Sequence, residues 1–306
     1  MSSTTAEAQI ERYGYIPSVS YGVVFMLLFL ASCLLHTVQV FRARKMYWML
    51  VMTFGTIGEF IGWVMRLYSH SKPDAPDPYL GQLAVLVIAP TFVSAALYWA
   101  GGIIIQVVAP HRSFLSGGTF KILFVIADVV SLVIQAAGGG LAGSARTEKG
   151  RDNGSQIMLG GIVFQLIVMI IYVLYGSYWC FQARKEIGQT GRKMHSMLYA
   201  LLAASLCIIA RGIFRTIELD EGFSGHLATV ERYILADAIP IVFSCYILNV
   251  VHPAKYLRLT DDSACRTDID LARTGAPTLV QHRSTSDGGD DDKEDVGTGV
   301  AEHGRV

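Results

Sequence analysis

Seven long apolar runs, separated by short polar segments, account for most of the chain. They cover residues 19–41, 46–66, 81–107, 120–142, 157–181, 196–217 and 231–251. Each run is close to the roughly 20 apolar residues that cross the hydrocarbon core of a bilayer. Backbone groups in lipid must be hydrogen-bonded within their own segment, so each run is predicted to be a helix. The pattern therefore predicts an all-α membrane protein whose domain, residues 19–258, is a bundle of seven transmembrane helices.

The composition agrees with a membrane protein. Of the 306 residues, 52% are hydrophobic and 16% are charged, whereas soluble domains carry about 25% charged residues. The formal net charge is zero, which gives no reason to expect a nucleic-acid partner. No pair of the five cysteines has the spacing of metal ligands, so we expect no metal site among them. We also expect no cofactor.

The two ends of the chain differ from its middle. Residues 1–18 are polar, and the apolar run that follows is too long for a cleaved signal peptide. We therefore expect a retained first helix with an extracellular segment before it. Residues 259–306 are polar and contain an acidic cluster at 290–295, a composition that predicts a disordered acidic tail.

Lysine and arginine in the short loops predict the orientation, because cytoplasmic loops are enriched in both. One side carries eleven: Arg42, Arg44, Lys45, Arg112, Lys121, Arg184, Lys185, Arg192, Lys193, Lys255 and Arg258. The other side carries five, namely Arg12, Lys72, Arg146, Lys149 and Arg151, or nine with Arg66, Arg211, Arg215 and Arg232 near the helix ends. The N-terminus is thus predicted outside and the C-terminus in the cytoplasm, as in a multi-pass protein of the plasma membrane. A glycosylation tripeptide at Asn153 falls in a predicted outer loop and agrees with this orientation.

Polar side chains recur inside the apolar runs, where ionisable groups are costly and usually face a bundle interior. The candidates for substrate binding or translocation are Glu59, Arg66, Tyr98, Asp128, Gln135, Gln165, Arg211, Arg215, Glu218, Glu231 and Asp237. Alternating helix directions place most of them in the outer half of the bilayer and Asp128 in the inner half. We expect a polar chamber beneath the outer surface. The alternative is a static network of ion pairs that locks the helices together, and in either case Arg215 should pair with Glu218 or Glu231.

Glycine and proline also interrupt the runs. Gly138–Gly140, Pro90 and Pro240 are expected to act as hinges or as kinks that shape the bundle. Gly55, Gly58, Gly101 and Gly102 are expected to permit close contact between helices.

The order of these motifs resembles a known family. The first motif, Tyr15-Ile-Pro17, precedes the first run; the second run carries Glu59-Phe-Ile-Gly62-Trp-Val-Met-Arg66, and the third carries Ala89-Pro90 with Ala95 and Tyr98. The fourth run has Asp128, Ser131, Gln135 and Gly138–Gly140, and the fifth has Gln165. The sixth has Arg211-Gly-Ile-Phe214-Arg215-Thr-Ile-Glu218, followed by Gly222, and the seventh has Glu231, Asp237 and Pro240, followed by His252-Pro253. They cover about residues 13–258. Together they resemble the fungal lipid-translocating exporters, also called RTA-like or aminocholesterol-resistance proteins, which include a sphingoid long-chain-base exporter.

The resemblance implies a seven-helix protein that moves amphipathic lipids, such as sphingoid long-chain bases, or hydrophobic small molecules, and so gives resistance to toxic lipids or drugs. The same topology suits a seven-helix receptor or sensor for such a ligand, and efflux of the ligand would separate the two. An enzyme is not expected, because no nucleophile–base pair and no cluster of histidines at one depth occurs in the runs.

Overall fold

A computed structural model describes residues 18–43, 47–71, 76–145, 147–221 and 234–253, without the side chains of 76–80. All of these belong to one compact unit, residues 1–262. The segment 1–17, the whole tail and Glu231 lie outside the described residues, so the predictions about them stay predictions.

Seven helices make up most of the described chain. They are α1 (Val19–Ala43), α2 (Leu50–Ser71), α3 (Pro76–Val108), α4 (Gly117–Ser144), α5 (Glu148–Gln182), α6 (Arg192–Asp220) and α7 (Ile234–Val250). Short helical turns lie between them at Tyr47–Met49, Pro110–Arg112 and Arg184–Gln189. The described residues contain no strand, as expected for an all-α protein.

Six of these helices, α1 to α6, are long and apolar enough to cross a membrane. The seventh is apolar but has 17 described residues, which at 1.5 Å per residue gives about 26 Å, slightly less than the hydrocarbon core. The chain is therefore an all-helical, multi-pass membrane protein. Seven crossings and the orientation of the termini remain predictions.

Several helices extend beyond their apolar runs because polar side chains cap them. The Ser116 hydroxyl accepts a hydrogen bond from the Thr119 N–H at 3.1 Å at the start of α4, and Thr147 accepts one from the Gly150 N–H at 3.2 Å at the start of α5. The early start of α5 corrects the position predicted for Asn153. This residue lies in the helix and not in a loop, and the serine of its tripeptide is buried.

Consecutive helices pack against each other in opposite directions. Gly138 of α4 lies so close to α5 that an added Cβ would approach the Met158 nitrogen to 2.4 Å. Gly154 of α5 is equally close to Ala142 of α4. Helix α4 is continuous through the glycine triplet, and the first glycine of the triplet permits close packing against α5; a hinge or kink there stays a prediction.

Helices α1 and α7 run in the same direction. Tyr246 donates to the Leu28 carbonyl at 3.0 Å, and one turn further along both helices Asn249 donates to the Ser32 hydroxyl at 2.7 Å. The end of the bundle that carries the α3–α4 and α5–α6 connections is referred to below as the cationic end.

Candidate functional site

A charged network joins α6 to α7 at the end opposite the cationic end. Arg215 donates from Nε to Asp237 Oδ1 and from Nη2 to Asp237 Oδ2, both at 2.8 Å, and its Nη1 reaches Glu218 Oε2 at 3.0 Å. Arg211 forms an ion pair with the same aspartate, 2.9 Å from Nε to Oδ1. The expected pairing of Arg215 with Glu218 is thus present, and Asp237 is its second partner.

Glu59 of α2 faces this network. Its side chain is buried and lies within electrostatic range of Arg211, Arg215 and Asp237. Its Oε1 atom has no hydrogen-bond partner in the described part of the chain. With all five groups ionised, the three carboxylates and two guanidinium groups described here carry one net negative charge.

Pro90 contributes to the network indirectly. A proline has no N–H, so the carbonyl four residues earlier in α3, that of Leu86, loses its helical hydrogen bond. Arg211 Nη2 donates to this carbonyl at 2.8 Å. The helix remains continuous through Pro90, and the freed backbone acceptor ties α3 to α6, as in other membrane helices where a neighbour satisfies the carbonyl.

A second group, the amide network, joins α3, α4 and α5. Its members are Thr91, Tyr98, Asp128, Ser131, Gln135 and Gln165. The Tyr98 hydroxyl donates to Asp128 Oδ1 at 3.2 Å. Gln135 Nε2 lies 2.6 Å from the Ser131 hydroxyl and 3.0 Å from Gln165 Oε1, while Gln165 donates to Thr91 at 3.2 Å. Asp128 Oδ2 is buried and has no partner in the described ranges.

A small cavity of about 40 Å³ lies between the two networks, lined by Gln135 and Gln165 on one side and by Arg211 and Arg215 on the other. A cavity needs about 10–15 Å³ to hold one water, so this one has room for a few waters but not for a lipid head group. The polar residues predicted from sequence therefore come together in two networks around a small cavity. Within the ranges that the structure describes, the cavity between the networks is small, and a larger polar chamber stays a prediction.

Most of the predicted site residues that the structure describes lie in one of the two networks. Glu59, Arg211, Arg215, Glu218 and Asp237 converge at one network, and Tyr98, Asp128, Gln135 and Gln165 at the other. Arg66 is buried on α2 with its guanidinium carbon 5.9 Å from the centre of the Trp63 ring.

Sequence reasoning missed two participants. One is Thr91, which directly follows Pro90 and resembles any polar helix residue. The other is the carbonyl of Leu86, which only the spacing of four residues to that proline could have indicated.

Comparison with known proteins gives the family. The model of a family described as RTA1 like protein matches residues 52–260, which is more than half of the chain and includes both networks. The chain belongs to the RTA1-like family. No solved structure matches it.

Three proteins of Saccharomyces cerevisiae are among the relatives. Protein RTM1 is 27% identical, covering 82% of this chain and 94% of its own length. The sphingoid long-chain base transporter RSB1 is 26% identical, covering 78% of this chain and 72% of its own. Protoporphyrin uptake protein 1 is 27% identical, covering 78% and 91%. Two of these names denote transport, and none denotes an enzyme.

Proposed function

We propose that this RTA1-like protein moves amphipathic lipids, such as sphingoid long-chain bases, across the plasma membrane and thereby gives resistance to toxic lipids or drugs. The observation that carries the proposal is the buried, partly unpaired carboxylate of Glu59 beside the charged network. Ionisable groups within membrane spans are costly and usually mark substrate or proton pathways. With Glu59 ionised, the five groups of the network carry one net negative charge, which suits an ammonium head group.

The small size of the cavity means that the helices must move before a lipid head group can pass. A volume of about 40 Å³ accepts no lipid head group, so a translocated lipid needs α6 to separate from α3 and α5. In this proposal the closed networks are the resting arrangement, and the head group of the substrate competes with Arg211 or Arg215 for the carboxylates while its chain stays in lipid.

The relatives support transport of amphipathic molecules. A protein named as a transporter of sphingoid long-chain bases and one named for porphyrin uptake are both similar to this chain over most of its length. Since the two named substrates differ in charge, a lipid base is proposed from the carboxylates of this chain and not from the relatives alone.

Reconstitution of the full chain into vesicles with a fluorescent long-chain base tests the proposal. The parent protein should redistribute the base between leaflets, measured by quenching with an impermeant reagent. Glu59→Gln keeps the side-chain shape and removes the charge, so it should insert normally but lose at least about tenfold in rate, the scale of one lost charge-assisted contact. Glu148→Gln, at an exposed helix start, is the matched control.

The result also separates transport from the alternative of a receptor or sensor. A receptor would bind the base saturably and leave its leaflet distribution unchanged. Full activity of the Glu59→Gln protein would remove Glu59 from the pathway and leave both networks as structural links between helices.

A further inference from the structure

A second, larger cavity lies on the other side of the amide network, towards the cationic end. It has a volume of about 380 Å³ and is enclosed mainly by α3, α5 and α6, and it is called the lower pocket here. Pockets that bind small molecules typically have about 300–1,000 Å³. Apolar side chains line most of it, including Ile104, Ile105, Val173, Trp179, Leu198 and Leu202.

Aromatic rings separate the lower pocket from the amide network. Tyr172 lines the pocket, and its ring centre is 4.9 Å from that of Tyr98. Tyr98 in turn donates a hydrogen bond to Asp128 of the amide network. The Tyr172 hydroxyl is engaged, since it donates to the Leu97 carbonyl at 2.9 Å. The lower pocket is therefore a site of its own, apart from both networks.

Two basic side chains lie at the rim of this pocket. Arg184 and His195 both line it. His195 Nδ1 lies 3.0 Å from the Gly191 carbonyl and thus carries a proton, so a protonated ring presents Nε2–H as a further donor. Arg184 lies over the ring of Phe181 at 5.0 Å and has no carboxylate partner in the described chain.

The acidic residue closest to Arg184 in the sequence, Glu186, does not pair with it. Glu186 accepts a hydrogen bond from Arg112 Nε at 2.9 Å and lies 3.3 Å from His111 Nε2. A hydrogen bond with its own backbone and the one from Arg112 lower the pKa of the Glu186 carboxyl, so it stays ionised and engaged with these partners. The segment 184–193 otherwise contributes four lysines and arginines, Arg184, Lys185, Arg192 and Lys193.

We propose that the lower pocket binds the alkyl chain of a membrane amphipath whose anionic, phosphate-type head group is held by Arg184 and His195. The apolar lining accepts the chain, and the Arg184 guanidinium is a donor suited to phosphate oxygens. A phosphate at the rim would favour the protonated form of His195, in which both ring nitrogens donate. An ammonium head group would meet like charge at this rim. Binding here requires no translocation, so the inference stands apart from the proposed function.

Photo-crosslinking tests the site directly. The full chain in zwitterionic nanodiscs is labelled with a single-chain alkyl phosphate that carries a diazirine near its terminal methyl group. Peptide mass spectrometry then locates the adducts. Labelling should concentrate on α5 and α6 around Val173 and Leu202, and it should be displaced by unlabelled alkyl phosphate but not by inorganic phosphate or an alkyl ammonium of equal chain length.

Two matched pairs of variants decide the outcome. Gly176 lines the pocket, and an added Cβ there meets no atom within 4 Å, so Gly176→Leu should fill the pocket without disturbing the helix. Gly160 is equally open on the same helix but lies outside the pocket, and Gly160→Leu is its control. For the head group, Arg184→Gln is compared with Lys185→Gln.

Gly176→Leu and Arg184→Gln should each reduce labelling about tenfold, the effect of losing the chain site or one charge-assisted contact, while both controls label as the parent does. If Gly176→Leu fails to fold, as judged by size-exclusion chromatography, the comparison of Arg184→Gln with Lys185→Gln tests the proposal by itself. Undiminished labelling in Arg184→Gln, or equal displacement by the alkyl ammonium, would overturn the proposal.

Discussion

Asp237 and Glu59 are both buried carboxylates within helices, yet their surroundings differ. Asp237 contacts three guanidinium nitrogens, one from Arg211 and two from Arg215. Glu59 leaves one oxygen without a hydrogen bond in the described structure. From sequence, the two residues were expected to have the same role. The contacts indicate that Asp237 links α6 to α7, whereas Glu59 is the residue available to a ligand.

This difference predicts opposite effects on stability. Asp237→Asn removes the charge that a buried and a half-buried arginine share, and breaking a buried ion pair in this way costs about 3–5 kcal/mol. We expect its thermal unfolding midpoint in detergent to fall well below that of Glu59→Gln. Asp220→Asn, at an exposed position near the end of α6, should leave the midpoint unchanged. An Asp237→Asn protein as stable as the parent would show that the arginines have other adequate partners.

At the scale of elements, the hydrophobic pattern located all seven helices, because a lipid-facing helix must be apolar along its length. It missed their polar ends, which depend on caps such as Ser116 and Thr147 that lie outside the apolar runs. The pairing of Arg215 with Glu218 could be predicted because the two lie three residues apart on one helix. The contacts of Arg215 with Asp237 could not, because they require the packing of α6 against α7. The lower pocket had no sequence signal, because its lining resembles any apolar helix surface.

The glycine triplet of α4 gives a prediction for one helix interface. Gly138→Ala would place a methyl group 2.4 Å from the Met158 nitrogen and 2.7 Å from the Gly154 carbonyl oxygen. Because both are backbone atoms, α4 and α5 must move apart. Gly140→Ala meets nothing within 4 Å and should be neutral, or stabilising by up to about 1 kcal/mol through helix propensity.

Thermal unfolding of the two alanine variants in detergent measures this difference, and only Gly138→Ala should lower the midpoint. A loss of similar size in both variants would indicate that the triplet needs backbone flexibility, as the hinge interpretation holds.

For the whole molecule, the parallel arrangement of α1 and α7 bears on the number of crossings. If α1 to α6 each cross the membrane, a seventh helix parallel to the first begins on the side where α1 begins. The hydrogen bonds from Tyr246 and Asn249 to α1 hold α7 alongside it through two successive turns. We therefore expect α7 to cross as well, although its 17 described residues are slightly short for the hydrocarbon core.

Seven crossings would place the two termini on opposite sides, and the excess of lysine and arginine at the cationic end predicts that the C-terminus lies inside. Epitope tags at each end, probed with protease on intact cells, measure both expectations. The N-terminal tag should be cleaved, and the C-terminal tag should be protected until the membrane is permeabilised. Cleavage of both tags, or of neither, would mean an even number of crossings and leave α7 on one side of the bilayer. Cleavage of the C-terminal tag alone would keep seven crossings and reverse the orientation, and the lower pocket with its cationic rim would then face the outer leaflet.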